Sequence, residues 1–141
     1  MKKSKFYALS FTWGLPLTLI GLIVAAVLLC AGEKPKKWGL CCYFEVGENW
    51  GGLELGVIFL TNKSPSVTCR NHELGHGIQN CWFGFLMPFI VCIPSAIRYW
   101  YRAIRRKRGL PNKTAYDDIW FEGQATRLGT EYMKGGAKDC D

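Results

Sequence analysis

The chain of 141 residues suits one compact domain with an appendage, and at 49% hydrophobic and 14% aromatic it is too apolar for a disordered protein. The net charge of +7 is concentrated in Arg98, Arg102, Arg105, Arg106, Lys107 and Arg108, with no stacking or groove-reading module beside it, so nucleic acid is not an expected partner. The seven cysteines, at 30, 41, 42, 69, 81, 92 and 140, are odd in number and lack CxxC spacing, which argues against a zinc ribbon or a fully paired disulfide framework and for reduced packing residues.

The first element in chain order is the apolar run from Phe6 to Ala31. Leu15 to Ala31 carries no charge, and the whole run is long enough to cross a hydrocarbon core of about 30 Å. Residues 1–31 therefore read as one N-terminal transmembrane helix and anchor. A cleaved signal peptide fits less well, because the run is overlong and Leu29-Cys30-Ala31 is a poor cleavage site. Residues 32–52 mix lysines, glycines and aromatics without a period and read as a linker or membrane-surface loop. Leu53 to Leu60 has strand composition, closed by Thr61-Asn62-Lys63, so a short strand or hairpin is expected there. Ser64 followed by Pro65 is a helix-start signal, an N-cap hydroxyl and then a proline at the first helical position.

The helix that follows holds the chain's only two histidines, in His72-Glu73-Leu74-Gly75-His76, a complete HExxH motif. Four residues make just over one helical turn, so both imidazoles leave one face and can grip a single metal ion, with Glu73 beside them as a general base. Val67, Leu74, Ile78 and Cys81 form an apolar stripe, while His72, His76, Gln79 and Asn80 occupy another side. Gly75 and Gly77 each cost about 1 kcal/mol in a helix interior, which points to close packing.

A second apolar segment runs from Trp82 to Tyr101, interrupted by Pro88 and Pro94. A broken, re-entrant or surface-lying segment is expected there rather than a second span, since a metal ligand beyond it must return to the same ion. The arginine run after it suits anionic headgroups and places the active domain on the cytoplasmic side, whereas Lys2, Lys3 and Lys5 balance Lys34, Lys36 and Lys37 around the first helix. Pro111-Asn112-Lys113 then makes a turn, Thr114 with Asp117 resembles a capping box, and a last helix is expected over Ala115 to Met133, stopped by Gly135-Gly136.

Two histidines need a third protein ligand and an open position to form a catalytic zinc site. Only glutamate, aspartate or cysteine can supply it here, and the best candidate is Glu122, whose helical neighbours Ala125, Thr126 and Gly129 are small enough to let two helices approach. Asp118, one turn earlier, is the alternative ligand or an acceptor for a histidine N–H.

These residues resemble the gluzincin group of zinc metallopeptidases, particularly its membrane-bound members. His72-Glu73-Leu74-Gly75-His76 matches the zinc helix, and Glu122-Gly123-Gln124-Ala125 looks like the downstream Glu-x-x-Ala element of the third ligand. The resemblance covers residues 53–133 and implies an α+β, mainly helical zincin-like domain over 53–141 with one zinc ion. It also implies an edge strand that binds an extended peptide or protein substrate. Many relatives carry Asp four residues after the ligand Glu, contacting a zinc histidine, where this chain has Thr126. Oxyanion candidates are Tyr132, Tyr116 and Arg127. The function expected is that of a membrane-anchored zinc peptidase acting at the lipid bilayer. The alternative is a non-catalytic membrane protein whose metal site is structural or sensory, or whose motif binds nothing.

Overall fold

The computed structural model describes residues 1–112, 114–115 and 118–136. Tyr116, the Asp117 half of the expected capping box, and Cys140 lie outside them. The fold is mixed α+β. Helices α1 (Lys3–Ser10) and α2 (Leu15–Cys30) are followed by strands β1 (Lys36–Trp38), β2 (Cys41–Glu45), β3 (Gly52–Leu55) and β4 (Ile58–Thr61), and then by α3 (Val67–Phe83), α4 (Ile93–Lys107) and α5 (Trp120–Gly136).

The single helix expected over Phe6 to Ala31 is two helices bent by 92°, and among the described residues no single helix is long and apolar enough to cross a membrane. The break follows from Pro16, which has no N–H to give Thr12 and whose ring would clash with that carbonyl, so α2 starts afresh with the proline in its first turn. The corner sits on α3: Asn80 Nδ2 donates to the Gly14 carbonyl at 3.3 Å, and a Cβ at Gly14 would collide with the Asn80 amide.

The stretch expected as a linker, 32–52, instead carries β1 and β2, and the run expected as one strand is the hairpin β3–β4. Together they form a four-stranded sheet in the order β1-β2-β4-β3. Gly56, at φ +82°, opens the two-residue turn between Leu55 and Ile58, a position that an L side chain rarely adopts. β2 and β4 pair in parallel, Tyr43 opposite Phe59, and the stacked rings of these two residues lie in the main core with Phe6, Leu40, Leu74 and Ile78. β3 is left as an edge strand.

Helix α3 begins two residues later than expected. Ser64 takes a left-handed φ of +54°, and the N-cap is Ser66, whose hydroxyl accepts from the Cys69 N–H at 3.1 Å. Leu74, Ile78 and Cys81 of the expected stripe are buried, but Val67 is exposed. The helix ends at Gly84, whose φ of +55° suits glycine and whose missing Cβ leaves room for the Trp13 ring. A short 3₁₀ turn (Gly84–Leu86) and a π turn (Pro88–Cys92) absorb Pro88, and α4 leaves at 113° to the preceding helical run. The expected break in Trp82 to Tyr101 is therefore present. Helix α5 starts at Trp120, five residues later than expected, and continues through Gly135-Gly136. The six described cysteines are free thiols, with Cys41 and Cys81 buried.

Candidate metal centre

Helices α3 and α5 build the site, and glycine sets their separation. A Cβ at Gly75 would run into the Ala125 backbone, and one at Gly129 into the Asn71 carbonyl, so the two backbones meet with no side chain between them. The small residues read from the sequence on both helices are thus in mutual contact. That closeness delivers Glu122, fully buried, to the two histidines. His72 Nε2 and His76 Nε2 are 3.0 Å apart, and Glu122 Oε2 lies 3.0 Å from the first and 3.3 Å from the second.

The hydrogen-bond partners fix what those three atoms carry. Gln79 Nε2 lies 2.8 Å from the Phe121 carbonyl, which only accepts, so the Gln79 amide oxygen faces His76 Nδ1, 2.8 Å away, and that nitrogen must donate. Thr126 Oγ1 donates to the Glu122 carbonyl at 3.3 Å, leaving its lone pairs for His72 Nδ1–H at 2.8 Å. In neutral imidazoles both Nε2 atoms then carry bare lone pairs aimed at a carboxylate oxygen, an arrangement that repels itself without a cation in the middle. Burial alone would raise the Glu122 carboxyl, but its contacts with His72 and His76, the positive charge His76 can carry, and the Ser95 hydroxyl hold it well below the usual carboxylate range. Ligands about 2.0 to 2.1 Å from a tetrahedral ion stand roughly 3.3 to 3.4 Å apart, so spacings of 3.0 to 3.3 Å need only slight expansion to accept one. His72, His76 and Glu122 can hold a metal ion.

The centre lines a cavity of about 630 Å³ between β3, α3 and α4, with Glu73, Gly52, Leu53, Ser95 and Tyr99 among its walls. Glu73 is buried against β3 in the space left by Gly52, where a Cβ would overlap the carboxylate and displace it. Burial raises the Glu73 carboxyl; the two histidines oppose the rise and Glu122 adds to it. A second acid, Glu54, is 5% exposed behind Gly77, and neither of its oxygens makes a well-formed hydrogen bond. Burial, then the charge of Glu73, pushes it well above the ordinary range, and the nearby Gly56 N–H only partly counters them.

The remaining expected residues divide. Thr126 reaches His72 through its hydroxyl, in the place where Asp was expected from the resemblance. Asp118 is exposed and contributes nothing to the cluster. Arg127 is exposed, Tyr132 packs against the main core, and neither lines the cavity. Three residues carry roles that the sequence reading missed. Gln79 was placed on the polar face without a partner, although its position three residues after His76 is the signal that could have found it. Ser95 and Tyr99 lie in an apolar segment, and nothing in the sequence brings Ser95 to Glu122 or Tyr99 to the cavity wall. Comparison with known protein families, curated proteins and solved structures finds no match to this chain.

Proposed function

We propose that this chain is a membrane-anchored zinc peptidase of zincin-like architecture, with His72, His76 and Glu122 as metal ligands and Glu73 as the general base. The observation that carries the reading is the convergence of three donor atoms, with His72 and His76 on the wall of a cavity that Glu73 shares. Two imidazoles and a carboxylate at near-tetrahedral spacing suit zinc better than the all-oxygen, octahedral sites of magnesium or calcium. A bound zinc ion supplies Lewis acidity, polarising a peptide carbonyl and easing the ionisation of water. Glu73 takes the proton of the attacking water and returns it to the leaving amine, a task that a carboxyl raised by burial performs better than an exposed one. Edge strand β3 offers unpaired backbone groups to an extended peptide, and Tyr99 supplies a phenol O–H in the cavity.

Anchorage rests on α2, which turns Leu19, Ile20, Ile23 and Val27 outward and Thr18, Gly21 and Ala25 inward. Its 16 residues measure about 24 Å against a core of about 30 Å, so insertion needs local thinning of the bilayer. The basic C-terminal end of α4 favours a cytoplasmic face for the domain.

Metal analysis and a cleavage assay on wild type and Glu73→Gln decide between this reading and a structural site, which the burial of Glu122 and His76 would also suit. One zinc per chain in both proteins, with cleavage of a quenched-fluorescence peptide mixture lost only in the variant, is the expected result. Zinc in both with no difference in cleavage leaves a structural centre. Protein purified without chelators that binds no metal removes both.

A further inference from the structure

Helix α4 is amphipathic the wrong way round for a helix on the surface of a water-soluble domain. None of its residues is buried. Its inner face is polar and held by the protein: Ser95 donates to Glu122, Arg98 and Arg102 bond the backbone of Ala115 and Thr114, and Arg105 bonds the Pro111 carbonyl. Its outer face, continuing from Phe89 of the π turn, is the stripe Phe89, Ile93, Ile97, Trp100 and Ile104, spaced by four, four, three and four residues and between 48% and 67% exposed. Three of the six basic residues first read as a headgroup-binding face are thus engaged within the chain, and Arg106, Lys107 and Arg108 remain at the exposed C-terminal end. No acidic residue occurs between Gly84 and Leu110 to balance them.

We propose that α4 lies flat in the interface of an anionic lipid leaflet, its outward stripe among the upper acyl chains and Arg106, Lys107 and Arg108 on headgroup phosphates. Lipid suits this face better than a second protein, because a basic end beside Trp100 and Tyr101 matches an anionic surface above hydrocarbon. Lying flat, rather than crossing, keeps Arg98 and Arg102 on the wet side. Tyr99 and Trp100 also line the metal cavity, so its mouth opens at headgroup depth. A ligand of the centre then approaches along the membrane surface. The seat stands on α4 alone, whether or not the centre is a peptidase.

The test uses full-length protein in vesicles of mixed phosphatidylcholine and phosphatidylglycerol, brominated either near the headgroup or near the acyl terminus. Subtracting the quenching of Trp100→Phe from that of wild type isolates Trp100 among the six tryptophans. Shallow bromines should quench that component about twofold more than deep ones. Stronger quenching by deep bromines would mean a crossing helix, and no quenching would mean a face covered by protein, including a second copy of the chain; either overturns the proposal. Replacing phosphatidylglycerol with phosphatidylcholine, or Arg106, Lys107 and Arg108 with glutamine, should weaken the shallow quenching. Indifference to both changes overturns the anionic part.

Discussion

Helix α3 faces two different environments. Toward α5 it presents His72, His76 and Gln79 to a polar surface, and the nitrogens and oxygens of these residues pair with Thr126, Phe121, Gln124 and Glu122. Toward the sheet it presents Leu74, Gly77 and Ile78, and there Glu54 is enclosed without a well-formed hydrogen bond. The first face favours the ionised form of its carboxyl, Glu122, through the Ser95 hydroxyl and the positive charge that the imidazole pair can gather as a proton or a metal ion; the second, with no such partner for Glu54, favours the neutral form. Both carboxyls are buried, and the partners within reach set the direction in which each is shifted.

The largest way to break the contrast is Gly75→Ala. Helix propensity alone would make this substitution stabilising by about 1 kcal/mol. The new methyl meets the Ala125 backbone instead, so thermal unfolding in detergent should show a loss of about 3 kcal/mol or more, together with loss of metal binding. A stabilised variant would show that the helices are not in backbone contact.

Glu54→Gln probes the other face through pH. A carboxyl whose folded pKa is raised must take up a proton on folding once the unfolded chain has ionised. Wild type should therefore lose stability from about pH 4.3 upward, by up to about 1.4 kcal/mol per pH unit, until the raised folded pKa is reached. The glutamine variant lacks that term, so the difference between the two proteins should change steadily in the variant's favour as pH rises from 4 to 7. Parallel pH profiles would place the Glu54 charge in contact with water.

Smaller effects should follow from loosening the histidines while leaving the ligands in place. Gln79→Leu removes the acceptor that orients His76 and should weaken metal affinity by about 10- to 100-fold, read by competition with a chelating dye. Thr126→Val should cost about tenfold at most, with Thr126→Ser restoring it, because only one hydrogen bond to His72 is lost. Equal affinities in all of these proteins would mean that the ion binds elsewhere.

Much of the polar face of α3 was legible in the sequence, because i, i+4 spacing on a helix is a local rule, and Glu122 was found by the chemistry of a third ligand and the small residues around it. The sheet was not legible. β2 is short and holds buried Cys41, Tyr43 and Phe44 by pairing with a hairpin more than ten residues away, β1 pairs only with β2, and no periodicity marks such strands. Ser95 and Tyr99 were hidden for the opposite reason, since their segment is apolar enough to be read only as a lipid-facing element.

The sequence by itself determined the histidine pair, the neighbouring glutamate and the break near Pro88, since these depend on helical spacing and on ring closure at single residues. Tertiary structure alone decided that α2 and α4 turn their large apolar side chains outward, that Thr126 and Gln79 orient the imidazoles, and that one buried acid is charged while its neighbour behind Gly77 is not. Those outcomes depend on which backbone lies within about 3 Å of a given atom, a distance set by the missing side chains of Gly75 and Gly129 and not by any pattern along the chain.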